Sequence, residues 1–366
     1  MDTTDPWNLI WITPALGSEM RKVFFVLTVL FVAAIVVGTN LLTDNTRASG
    51  TVTLLTHDSF VLSEQTISDF ESETGLKLKI ISAGDAGTVL SSAVLSAGRP
   101  TADVIFGIDN TMLSKALDGN IFEAYVSPEL EFLGDSFQNS FGGLVSPIDY
   151  GDVCINYEIE KYGLNPPKNL SDLVKPAFAN QLVVSDPAAS SPGLAFLLAT
   201  VATYGTDWPD YWAQLRANGV KVVGSWSDAY YVEFSKGGGD GEYPMVLSYA
   251  TSPAAEIVYA EEPKPEFVST AAMASGCFRQ VEYAGVLRGA ENPAGAKLVI
   301  DWLLSAEVQA DIPLNMFVYP TREGIELPLE FSKFAPPVLE PLSLDHNQMA
   351  NNLDAWLAEW DAVMKN

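Results

Sequence analysis

GSWSDAYYVEFSKGGGDGEYPMVLSYATSP, residues 224–253, sets the reading of the whole chain. Its centre, MVLSY (245–249), is a continuous apolar run, the pattern of a strand covered on both faces of a sheet. Ser252-Pro253 follows as an N-cap with proline at the first helical position. A strand, a small polar turn and a capped helix present backbone N–H groups and an aromatic ring at the mouth of a cleft. Upstream, Trp226, Tyr230 and Tyr231 cluster on a short amphipathic segment that ends in GGGDG (237–241). Trp226 and Tyr249 fit such a cleft, and they equally fit an ordinary core. No strand feeds the glycine run and no helix follows it, so it reads as a flexible turn, not a phosphate cradle.

Toward the N-terminus, strands alternate with helices. TVTLLTH (51–57) is a strand; Asp58-Ser59 caps a helix that runs to about Thr74 and ends at Gly75. LKLKIIS (76–82) is the second strand, followed by Gly84-Asp85-Ala86-Gly87 and the helix VLSSAVLSAG (89–98). ADVIFGIDN (102–110) is the third strand, with another helix behind it. This order predicts an α/β fold with a parallel sheet and right-handed crossovers. Ligands in such sheets sit beyond the carboxyl ends of the strands. Asp58-Ser59, Asp85-Ala86 and Asp109-Asn110 all fall there.

SPIDYGDVCINY (146–157) is too long for one ordinary strand and reads as a crossover into a second lobe. Beyond it, NLSDLVKPAFAN (169–180) reads as a helix and QLVVSDP (181–187) as a strand. Ser190-Ser191-Pro192 caps the helix GLAFLLATVATYG (193–205), and DWPDYWAQLRANG (207–219) is a further helix. CFRQVEYAGVL (277–287) is a second long strand that crosses back. ENPAGAKLVIDWLLSAEVQADI (291–312) reads as one amphipathic helix. A helix over about 344–364 closes the chain, with Trp356 and Trp360 packing from one face. The predicted organisation is lobe one at 50–147 plus 276–340, lobe two at 148–275, and a C-terminal helix at 341–366 lying on both. Two crossovers suit a hinged clamp with the ligand between the lobes.

The 366 residues are 48 % apolar and 18 % charged, which describes a globular chain large enough for two cores. A formal net charge of −26 with no basic cluster excludes a nucleic-acid partner and is compatible with a cationic ligand. Residues 1–22 read as a short tail. Residues 23–43 are uncharged, apolar and preceded by Arg21-Lys22, so they read as a signal peptide or an uncleaved membrane anchor that leaves the rest outside the cytoplasm. Met20 is an alternative start. Cys154 and Cys277 are either a disulfide pair or two buried thiols, and with His57 and His346 they form no zinc pattern.

An ordered set of segments carries a resemblance: THDSF (56–60), LKLKIISAGDAGTVL (76–90), ADVIFGIDN, PIDYGDVCINY (147–157), DPAASSPGLAFLL (186–198), SWSDAY (225–230), VLSYATSPA (246–254), FRQVEYAGV (278–286) and IPLNMFVYP (312–320). Together they resemble the thiamine-binding family of periplasmic solute-binding proteins of ABC transporters. The resemblance implies a two-lobed type II periplasmic-binding fold that captures thiamine, or thiamine mono- or diphosphate, for permease subunits, without a cofactor, a metal or catalysis. It places ligand contacts on Asp85, Ala86, Ser190, Ser191, Trp226, Tyr249, Ala250, Thr251, Ser252 and Pro253. Secondary candidates are Asp58, Ser59, Asp109, Asn110, Tyr150, Tyr230 and Phe317. Trp226 and Tyr249 would stack on the ligand rings, and Asp85 would accept from the exocyclic amine. Relative to the family, His57 replaces an aromatic, Phe317 replaces a tryptophan and Ala255 replaces a tyrosine, which implies a thinner aromatic cage. Two readings compete. One is a binder of ferric iron through Tyr230-Tyr231, or of a polyamine or other cation. The other is a thiaminase-like enzyme with Cys154 as nucleophile.

Overall fold

The computed structural model describes residues 50–237 and 239–365, so the expected tail (1–22) and apolar segment (23–43) lie outside the described residues. Within these, eleven strands join in one sheet. They are β1 Gly50–Thr56, β2 Leu76–Ser82, β3 Val104–Asp109, β4 Phe122–Glu123, β5 Ser146–Glu158, β6 Leu182–Ser185, β7 Lys221–Val223, β8 Met245–Tyr249, β9 Thr270–Ala272, β10 Phe278–Leu287 and β11 Tyr319–Pro320. The main order is β2-β1-β3-β10-β5-β8-β6-β7. β1 runs parallel to β2 and β3, and β6 runs parallel to β7 and β8. Between these two parallel groups lie β5 and β10, antiparallel to each other and to their outer neighbours. The first part of β5 pairs with β10, from Ser146↔Ala284 to Val153↔Phe278. Its last part pairs with β8, from Val153↔Tyr249 to Tyr157↔Met245. The 13-residue strand therefore belongs to both halves, as its length predicts.

Continuous apolar runs become strands covered on both faces. Every residue of β3 is buried. Val104 and Phe106 pack with Phe70, Val299 and Trp302 on one side. Ile105 and Ile108 pack with Val89, Leu90 and Leu113 on the other. The closing helix His346–Lys365 lies against Trp208–Ala217 and Leu113–Asp118, with Trp360 edge-on to Trp212 at 5.6 Å.

Four local expectations are corrected. The first helix spans Glu64–Thr74 and does not start at Asp58-Ser59. Ser63 accepts from the N–H of Thr66, supplying a true N-cap, while Asp58 N–H is bonded to Gly84 O in a loop over the strand ends. The segment 169–180 forms two short 3₁₀ turns, Leu170–Asp172 and Pro176–Phe178, because Lys175 precedes a proline and is held extended at ψ 146°. The long helix at 291–312 breaks at Ser305 into Pro293–Leu304 and Ala306–Met316. Ser305 takes ψ 154°, and its hydroxyl accepts from Val308 N–H at 3.3 Å, so it caps the second piece. The helix after β8 spans Ser252–Val258 with Thr251 at the cap position, one residue earlier than expected. Ser252 Oγ instead accepts from Tyr249 N–H at 3.2 Å and bonds Ser248 Oγ at 2.7 Å.

Candidate functional site

A cavity of about 680 Å3 lies between the two halves, within the range of small-ligand sites. Its first wall is built by the loops after β1 and β2, which place Asp58, Ser59, Asp85 and Ala86 at the cavity. The opposite wall carries Ser191 at the start of the helix Ser191–Tyr204, then Trp226, Tyr230, Tyr249 and Ser252. Phe317, at φ 55° where the helix Ala306–Met316 ends, closes one side against Tyr259 at 5.3 Å.

Asp85 ties the walls together. One oxygen accepts from Ala86 N–H at 2.7 Å and caps the helix Ala86–Leu95; the other accepts from Trp226 N–H at 3.0 Å. Gly87 N–H donates to Ala189 O at 3.1 Å, and a Cβ at Gly87 would stand 2.5 Å from that oxygen, so only glycine permits the approach. Ser227 Oγ donates to Asp58 Oδ2 at 3.4 Å. These bonds cross the cleft, so the clamp is closed. Asp85 therefore holds one backbone N–H with each oxygen and acts as a latch, while its carboxylate still lines the cavity.

The aromatic cluster is an ordered stack. Trp226 lies on Tyr230 at 5.1 Å and 15°, with Tyr231 and Tyr249 edge-on at 5.5 and 6.3 Å. Trp226 Nε1 donates to Ser248 Oγ at 3.1 Å. Tyr230 and Tyr231 sit on a π-helical turn, Asp228–Glu233, with rings at 90°. Tyr249 OH donates to Gln280 Oε1 at 3.0 Å, and Gln280 Nε2 donates in turn to Asp109. Burial, with Glu282, Asp109, Asp85 and Asp149 nearby, pushes the Tyr249 phenol well up, so it remains a donor.

The floor of the cleft is acidic. His57 Nδ1 accepts from Ser59 N–H at 3.2 Å and Nε2 lies 3.3 Å from Glu282 Oε1. Gly107, at φ +91°, leaves space for this ring, because a Cβ there would meet His57 Cδ2. Asp109 is fully buried; Oδ1 accepts from Thr111 N–H, Thr111 Oγ1 and Met112 N–H. Burial outweighs those bonds and, with Glu282, raises its carboxyl from 3.8 to about 7. Between those values the unfolded chain loses a proton that the folded protein keeps, so stability falls as pH rises through this window, by on the order of 4 kcal/mol. Asp109→Asn, with Gln280 turned over to accept, is expected to flatten that slope in urea melts taken at intervals from about pH 4 to about pH 8.

Several predicted residues sit elsewhere. Asp109 and Asn110 lie behind the lining, with Asn110 bonded to Arg279 O and Val281 N–H. Ser190 is fully buried and its hydroxyl has no partner, so it does not cap its helix. Ala250 packs against the Cys154–Cys277 disulfide, Thr251 Oγ1 donates to Phe317 O, and Pro253 is buried in the helix start. Tyr150 stacks between Phe137 and Tyr319, with Arg279 over its ring at 4.7 Å. In the other direction, Glu282, Glu256, Ser227 and Tyr259 line the cavity and were not expected there. A lone glutamate in the apolar stretch VEYAGVL was the available signal for Glu282. Tyr259 stands one helical turn after Ala255, on the same face. Cys154 is buried, disulfide-bonded to Cys277 and outside the lining, which removes the nucleophile of the enzymatic reading. No three-residue metal cluster occurs among the described residues.

Residues 99–347 match the family described as bacterial extracellular solute-binding protein. The thiamine-binding periplasmic protein of Salmonella typhimurium is 31 % identical over 322 residues, covering 87 % of this chain and 94 % of that protein. Its Escherichia coli counterpart is 30 % identical with the same coverage. Among solved structures, a periplasmic thiamin binding protein superposes with a TM-score of 0.76 at 29 % identity, covering 86 % of this chain and 96 % of that one. An apo ferric ion-binding protein A from Pasteurella haemolytica, at 18 % identity and a TM-score of 0.68, shares the fold. The fold and cleft define a two-lobed binding protein. The chain belongs to the bacterial extracellular solute-binding protein family, and its place is periplasmic or extracellular.

Proposed function

We propose that the protein captures thiamine outside the cytoplasm and presents it to the permease subunits of an ABC transporter, without chemical change to the ligand. The observation that carries this is the pairing, in one cleft, of the Trp226 stack with four carboxylates, Asp58, Asp85, Glu256 and Glu282. A flat aromatic ring joined to a fixed positive charge matches that pairing. The thiamine-binding relatives, aligned over most of their length, support the same ligand. Among the described residues no lysine or arginine lines the cleft, so the phosphate esters fit less well than the free vitamin. The clamp closes by motion of lobe one (50–147 plus 276–340) against lobe two (148–275) about β5 and β10, with the Asp85–Trp226 bond as its latch.

Thermal unfolding tests the ligand class. At about 100 times its dissociation constant, thiamine is expected to add roughly 2.7 kcal/mol and raise Tm by several degrees. Thiamine diphosphate should do less, and ferric citrate or putrescine nothing. A shift by ferric citrate alone would favour the iron reading through Tyr230 and Tyr231.

A further inference from the structure

At the cleft floor and just behind it runs a row of carboxyls that stacking and charge attraction do not by themselves require. On β10, Glu282 pairs with Asp149 of β5 on one side and Asp109 of β3 on the other. Three neighbouring acids repel one another unless a proton or a cation stands among them. Asp149 is fully buried, and neither of its oxygens accepts a hydrogen bond from a protein donor. Glu282 and His57, both nine-tenths buried, line the cleft itself.

Burial, and then the charge of Glu282, hold the Asp149 carboxyl well above the usual carboxylate range. Burial alone would pull the His57 imidazole down, but Glu282, with Asp85 and Asp58, holds it above its ordinary value. The other groups facing this floor are Tyr249 and Gln280, which are hydrogen-bonded to each other and on to Asp109. Of the described residues that line the cleft, His57 alone can carry positive charge.

We propose that Glu282 reads the charge of the ligand, and that a cation entering the cleft takes this carboxylate over from His57, which gives up its proton to solvent. The inference rests on the thiamine reading and specifies how the site recognises the positive charge. One cation, the imidazolium, is exchanged for another, the thiazolium, so the charge of the floor is conserved. Two cations on one carboxylate in a water-poor pocket repel each other, and the proton is the one free to leave. Binding then tightens as pH rises through the titration of His57 and levels off above it.

Calorimetric titration of the full chain with thiamine, in two buffers of unlike ionisation enthalpy, counts the protons released. Near pH 6 the release is expected to approach about one proton per thiamine, and affinity to be weaker by at least about tenfold at about pH 5.5 than at about pH 8. Glu282→Gln should weaken binding about tenfold or more, and His57→Gln should abolish the proton release. The wild-type proton count decides the matter even if Glu282→Gln fails to fold. Equal wild-type affinity at both pH values with no proton released, or a Glu282→Gln protein that binds as tightly as wild type, overturns the proposal. Failure of the wild type to bind thiamine at any pH sinks the functional reading itself, and the exchange with it.

Discussion

Trp226→Ala is expected to weaken thiamine binding about 30-fold or more, the loss typical of a buried aromatic anchor. Trp226 does three things at once. Its indole lines the cavity and stacks on Tyr230 at 5.1 Å, and its backbone N–H donates the latch bond to Asp85. Truncation removes an aromatic ring from the cavity wall and loosens Tyr230 behind it, while the backbone bond to Asp85 survives. Trp226→Phe keeps an aromatic face and loses only the Nε1–Ser248 bond, so it should recover most of the affinity. Isothermal titration gives both values, with thermal melts of the free proteins as the control for folding. A Trp226→Ala protein within about threefold of wild type would mean that the stack is core and not site.

The second large effect concerns stability. Cys154 on β5 and Cys277 beside β10 are 123 residues apart in sequence, and their disulfide ties the two long central strands together. In the chain-entropy account a loop of that length contributes about 4 to 5 kcal/mol. Cys154→Ala with Cys277→Ala is therefore expected to lower the unfolding free energy by about that amount in urea titrations. Reductant should have the same effect on the wild type and none on the double variant. Ala250 packs against the disulfide one residue after Tyr249, so the double variant should also bind thiamine more weakly. Unchanged stability would show that the closed loop is already compact in the unfolded chain.

Much of the fold was legible because the decisive strands are unambiguous. MVLSY and VIFGID have no polar face, and the extended run at 146–157 is too long for a single half-sheet. Boundaries set by one local bond were not legible. Nothing in the sequence ranks Ser63 above Ser59 as a cap until the loop over the strand ends is known. Ser305 interrupts an amphipathic pattern that otherwise runs straight through it.

The site divides in the same way. Residues at strand ends and helix starts, Asp58, Asp85, Ser191, Trp226 and Tyr249, reach the cavity because topology puts them there. Asp109 shares that position but is turned inward by Thr111, Met112 and Gln280. Glu282 and Tyr259 come from segments that sequence reasoning assigned to structure. Their presence depends on which face of β10 and of the helix Ser252–Val258 meets the cleft, and only the packed fold decides that.

The most direct test is calorimetric titration of the purified protein with thiamine, thiamine monophosphate and thiamine diphosphate in parallel. The account predicts submicromolar, one-to-one binding of thiamine, progressively weaker binding as phosphates are added, and collapse of the thiamine signal in Trp226→Ala. Absence of heat with all three, or tightest binding by the diphosphate, would contradict an acidic aromatic cleft built for the free cation.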